Sequence, residues 1–123
     1  MTASSHPHAI SITPNPNRVQ VTFNNTVIAD TRRALVLREG PLPPAQYIPR
    51  EDVNMAFLRP TTHSTHCPFK GDASYFTVSV DGRTAENAVW TYQAPLLAVA
   101  EIKDYLAFYP EKMDAIEELP PSA

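Results

Sequence analysis

The chain has 123 residues, with thirteen prolines against three glycines, a net charge of −3 and a pI near 5.7. That length suits one domain with a core that needs no staples, and so many prolines exclude a helical bundle, because proline is not tolerated in helix interiors. Scattered Lys and Arg exclude the basic face that a phosphate backbone requires, so no nucleic acid is an expected partner, and no apolar run approaches the roughly 20 residues of a membrane span.

Residues 1–17 carry His6, Pro7, His8, Pro14 and Pro16 and read as an extended arm, whose second half could pair as an edge strand through Ile10 and Ile12. The opening MTASSHPHAISITP lacks the basic start and apolar core of a secretory signal. The single cysteine suits a reducing compartment, so a cytoplasmic location is expected. Val19, Val21 and Phe23 alternate with polar residues over 18–24, which predicts a strand, and Asn24-Asn25 makes a tight turn. Short strands over 27–30 and 34–38 would complete a meander.

Residues 40–49 form a proline-rich connection. The spacing of Val53, Phe57 and Leu58 predicts a short helix over 50–58, opened by Pro49 and closed by Pro60. Residues 61–71 read as a polar loop. A strand over 73–80 leads into Asp81-Gly82, a strong hairpin signal, and returns over 88–92. Pro95 opens a second short helix near 96–103, and the aromatic stretch 105–109 continues it or closes the sheet. The acidic, proline-ended residues 115–123 read as a loosely packed tail. The expected organisation is therefore a single mostly β domain over 18–114, with an arm before it and a tail after it.

Two groups of residues carry chemistry. The first is THSTHCPFKG, where His63, His66 and Cys67 are competent zinc ligands. A closed site needs four ligands, and the remaining histidines, His6 and His8, lie in the arm, so no metal is expected. Cys67 could instead be a nucleophile, since Lys70 and the two imidazoles favour a thiolate. The second group combines Arg32, Arg33, Glu39, Arg50, Asp52 and Lys70 with Tyr47, Tyr75, Trp90 and Tyr92. Aromatic walls with a few charges are the usual make-up of a small-ligand pocket. A carboxylate among them suits proton transfer, and a guanidinium would orient an anionic substrate. The same charges read equally well as ion pairs, Arg32–Glu39 or Arg50–Asp52, that hold the fold.

The ordered runs ADTRRALVLREG, YIPREDV, THCPFKGDASYF, AVWTYQAP and AFYPEKMD resemble a widespread family of domains of unknown function that carries a nucleotidyltransferase-like label. The resemblance implies a β-tent (Mss4-like) fold: two antiparallel sheets meeting at an angle, a pocket between them, and one or two short helices. Zinc-binding relatives of that fold use two CxxC pairs, which this chain lacks, so the metal does not carry over. The label implies nucleotide handling, but the chain has neither paired aspartates after Gly-Ser nor a phosphate-cradling glycine loop.

The residues then name a cofactor-free acid/base enzyme of isomerase, lyase or cyclase type. Its catalytic candidates are Glu39, Asp52, Lys70, Arg32 and Cys67, with Tyr47, Arg50, Tyr75, Trp90 and Tyr92 around a small-molecule ligand. The alternatives are a non-catalytic ligand- or peptide-binding module with an aromatic pocket, and a nucleotide-handling protein. Arg32, Glu39, Asp52 and Lys70 are expected to converge on one cavity, and exposed edge strands would make a homodimer easy to form.

Overall fold

The computed structural model describes residues 9–121. Among these residues ten strands form three antiparallel sheets: β1 (Ile10–Pro14), β4 (Leu35–Glu39) and β5 (Ala45–Tyr47) in the order β1-β4-β5; β2 (Arg18–Phe23), β3 (Thr26–Thr31) and β10 (Ala115–Leu119) in the order β10-β2-β3; and β6 (Leu58–Cys67), β7 (Gly71–Val80), β8 (Arg83–Tyr92) and β9 (Leu106–Phe108) in sequence order. The fold is mostly β, as expected, with three sheets rather than two. Ile48 and Leu106 exchange both backbone N–H···O bonds, each 2.8 Å, and so tie the β5 edge to β9.

Within the β6–β9 sheet, β7 buries side chains on both faces, which follows from strand alternation. Phe76, Val78 and Val80 of β7 pack with Val19, Val21, Phe23 and Ile28 of the β2–β3 hairpin. Ala73 and Tyr75 face the other way, where they meet Tyr92, Tyr47, Leu37 and Ile102. The two hairpin turns are those the sequence announces: Asn24 and Asn25 at φ 51° and 61°, and Asp81 and Gly82 at φ 48° and 83°.

Several elements differ from expectation for identifiable reasons. The helix predicted over 50–58 is two 3-10 turns, Arg50–Asp52 and Met55–Phe57. Between them Val53 bridges to Ala29, and the Asn54 N–H donates to the Ile28 carbonyl, so backbone that a helix would use is committed to β3. The polar loop predicted over 61–71 is mostly the ten-residue strand β6. It lies at a sheet edge, where exposed side chains are tolerated and Pro60 forfeits no interior hydrogen bond. The second helix is a 3-10 segment, Leu97–Ile102, broken at Val99, and 105–109 closes the sheet through β9.

The predicted meander stops after two strands. The Arg33 N–H donates to Thr31 Oγ1 at 2.9 Å and turns the chain, after which β4 pairs with β1 and β5. The described parts of the arm and tail carry strands that pair with the rest of the chain. β1 pairs with β4, and β10 pairs with β2, where the Asn15 and Asn17 side-chain amides donate to Glu118. His6 and His8 lie outside the described residues. Among the described residues no helix is long and apolar enough to cross a membrane.

Candidate functional site

A cavity of about 410 Å³ opens between the β4–β5 hairpin and the aromatic face of the β6–β9 sheet. Its charged members are Glu39, the last residue of β4, and Lys70, in the turn between β6 and β7. That turn is fixed by backbone. The Lys70 N–H donates to Cys67 O at 3.2 Å, and Lys70 O accepts from the Leu96 N–H at 2.9 Å. Gly71 follows at φ +114°, a backbone conformation that favours glycine. The result places Lys70 Nζ 2.5 Å from Glu39 Oε1, with each side chain only 10% exposed.

The walls are aromatic rings locked by their polar atoms. Trp90 Nε1 donates to the Tyr47 hydroxyl at 3.0 Å, and the two rings meet edge to face at 6.1 Å. Trp90 also lies 4.5 Å from the Tyr109 ring. The Tyr75 hydroxyl bonds Thr65 Oγ1 at 2.9 Å and reaches the Tyr109 hydroxyl at 3.5 Å. Burial pushes the hydroxyls of Tyr47, Tyr92 and Tyr109 well above the usual tyrosine range, so all three stay neutral phenols at neutral pH. Exposed Leu42, Pro43 and Pro44 form the rim.

Six of the sequence candidates therefore share one site: Glu39, Lys70, Tyr47, Tyr75, Trp90 and Tyr92. The expected convergence of four charges is corrected. Arg32 and Asp52 lie in a separate surface cleft with Arg18, Asp30 and Arg33. The physical reason is strand length: Arg32 precedes β4 and Glu39 ends it, and the five extended residues of the strand alone put about 13 Å between its ends. In that cleft Asp52 accepts from Thr31 Oγ1 at 2.7 Å and from Arg33 at 3.3 Å, and Arg18 grips Asp30 with two bonds of 2.8 and 2.6 Å. Among the described residues Glu39 thus pairs with Lys70, and Asp52 with Arg33.

Arg50 sits on the opposite face, its guanidinium 5.6 Å from the Phe76 ring centroid, which is a packing role. Cys67 ends β6 as a half-exposed free thiol and is not among the cavity's lining residues, although its charge would bear on the Tyr47 and Tyr92 hydroxyls. His63 packs 4.5 Å from the Tyr75 ring, and His66 Nδ1 lies 2.7 Å from Asp72 Oδ1. Among the described residues no three His, Cys, Asp or Glu side chains are grouped to hold a metal ion.

Sequence reasoning missed Tyr109, Phe108 and the Leu42–Pro44 rim as parts of the site. The aromatic content of 105–109 was the available signal for the first two. The rim carries none, because its place depends on how the β4–β5 hairpin folds over the sheet.

No curated protein matches the chain. One family match runs over residues 11–119, from β1 to the last residue of β10, and so takes in every strand that builds the cavity. On that extent the chain belongs to the family described as a domain of unknown function (DUF427).

Proposed function

We propose that the cavity is a small-molecule site and that its chemistry is cofactor-free proton transfer, with Glu39 as the proton acceptor and Lys70 as the group that stabilises negative charge on the substrate. The observation that carries this reading is the Glu39–Lys70 pair, nine-tenths buried on the wall of a cavity otherwise lined by aromatic and apolar side chains. Taking two charges out of water is expensive, and an apolar pair of the same shape would often hold the fold as well. A carboxylate and an ammonium in contact, facing a space large enough for a metabolite, supply the two groups that proton removal beside a carbonyl needs. The reaction would be of isomerase, lyase or cyclase type.

The alternative is a binding module without turnover. It is favoured by the fact that Lys70 already matches the charge of Glu39, as in a wall built for complementarity alone. Nucleotide handling has less support, since the cavity offers a polyanion one ammonium that is already paired.

A thermal-shift screen of the purified protein against a metabolite library, followed by turnover assays on the hits, tests the proposal. Glu39→Gln keeps the shape and removes the proton-accepting charge. On the enzyme reading it abolishes turnover of a hit and leaves its binding measurable. Hits that bind but are never converted would establish the binding module instead.

A further inference from the structure

We propose that the ligand is a flat, uncharged molecule whose carbonyl oxygen accepts a hydrogen bond from Lys70 Nζ. This rests on the small-molecule reading above and narrows it to a chemical class.

The first argument is charge. The lining side chains carry one carboxylate, Glu39, and one ammonium, Lys70, and no other formal charge. An anion would have to share the single cation with Glu39, and a cation would have to share the single carboxylate with Lys70. Either leaves a like charge close by in a poorly hydrated place. A neutral molecule leaves the pair intact.

The second argument is the inventory of unused polar groups. An ammonium has three N–H donors. Among the described residues, Lys70 Nζ has one acceptor, Glu39 Oε1. The Tyr92 hydroxyl forms no hydrogen bond among the described residues and is kept protonated by burial, so it too is available to donate. The other polar groups of the site are engaged: Trp90 with Tyr47, Tyr75 with Thr65, and the Gln46 side chain with Asn15 and Glu118 on the far side of its strand. Apart from the remaining lone pairs of Glu39, the unused capacity is donor in kind, and the ligand group that meets it is an acceptor oxygen. Carbonyls supply that acceptor without bringing charge.

The third argument is shape. Trp90 and Tyr109 stand 4.5 Å apart, Tyr47 is locked edge-on to Trp90, and prolines form the rim. Rings held this firmly offer faces and edges to a planar body and resist wrapping a bulky one.

Three benzene derivatives of nearly equal size separate the possibilities: benzamide, benzoate and benzylammonium. Binding is read from the fluorescence of Trp90, the single tryptophan, and from ligand-detected NMR. Benzamide should bind at least about tenfold more tightly than either charged probe. Glu39→Gln leaves Lys70 as a lone cation, so in that variant benzoate should overtake benzamide. Tightest binding of benzoate or benzylammonium to the unmodified protein overturns the proposal and leaves the small-molecule reading standing. The same holds if the order of affinities is unchanged in Glu39→Gln. Failure of all three probes to perturb Trp90 removes the small-molecule reading and the proposal with it. Should Glu39→Gln not fold, Tyr92→Phe removes a hydroxyl and no charge. It must still weaken benzamide about fivefold, and unchanged affinity there overturns the proposal.

Discussion

The two faces of the β6–β9 sheet are built from the same strands and do opposite things. On one face Val78 and Val89 close against Val19, Val21 and Phe23 with almost no exposure, and the contact is aliphatic with single aromatic plugs. On the other, Tyr75, Trp90 and Tyr92 join Tyr47 and Tyr109 around a cavity with an ion pair on its wall. Branched aliphatics interdigitate and leave no room. Large rings whose N–H and O–H groups bond one another hold their positions without filling the volume between them. The sealed face supplies stability, and the aromatic face gives up part of its packing to keep a cavity.

The largest effect that would break this comparison comes from the sealed side. Phe23→Ala should lose about 4 kcal/mol of stability in urea unfolding, with binding to the cavity unaltered in whatever protein remains folded. Trp90→Ala, on the half-buried wall, should lose about 2 kcal/mol because its neighbours already border empty space, and it should lose all ligand response. Equal losses for the two variants would mean that the faces do not differ in packing.

A pH titration sharpens the contrast with a smaller effect. Burial raises the Tyr47 hydroxyl above its ordinary value of 10.0. The folded protein therefore holds that proton when the unfolded chain has lost it, so the stabilisation is complete below pH 10 and is lost as pH rises above it. The melting temperature should fall on the alkaline side of that value, and Tyr47→Phe should make the fall shallower. An unchanged slope would show that the buried phenols do not govern alkaline unfolding.

The smallest expected effect is none. Among the described residues neither face groups three His, Cys, Asp or Glu side chains that could hold a metal ion, so chelator treatment should leave the melting temperature unchanged, and a stoichiometric zinc signal in the purified protein would contradict this.

What could be read from the chain follows from how locally each feature is encoded. Asn24-Asn25 and Asp81-Gly82 specify their turns by themselves, because few residues accept positive φ. The alternation of Val19, Val21 and Phe23 shows which side of β2 is inward, and aromatic content picked out Tyr47, Tyr75, Trp90 and Tyr92 as pocket walls. Edge position is not encoded locally: LRPTTHSTHC has the composition of a loop, and only pairing with β7 makes it a strand. Val53 shows the same limit, since its spacing is helical but its bridge to Ala29 is decided by a partner 24 residues away. The charges divide likewise. Composition named Glu39 and Lys70, but nothing in it told them apart from Arg32 and Asp52, whose separation depends on the direction of β4.

The paired backbone bonds between Ile48 and Leu106 make one continuous lattice of the β1-β4-β5 and β6–β9 sheets. The two walls cannot hinge apart without breaking both bonds, so on the proposed reading a ligand would pass the Leu42–Pro44 rim and would not part the sheets. Prolines there have little backbone freedom to surrender. On the proposed small-molecule reading, such a site is preorganised: little entropy would be lost in ordering it, and affinity would reflect how well a ligand fits a shape that is already set.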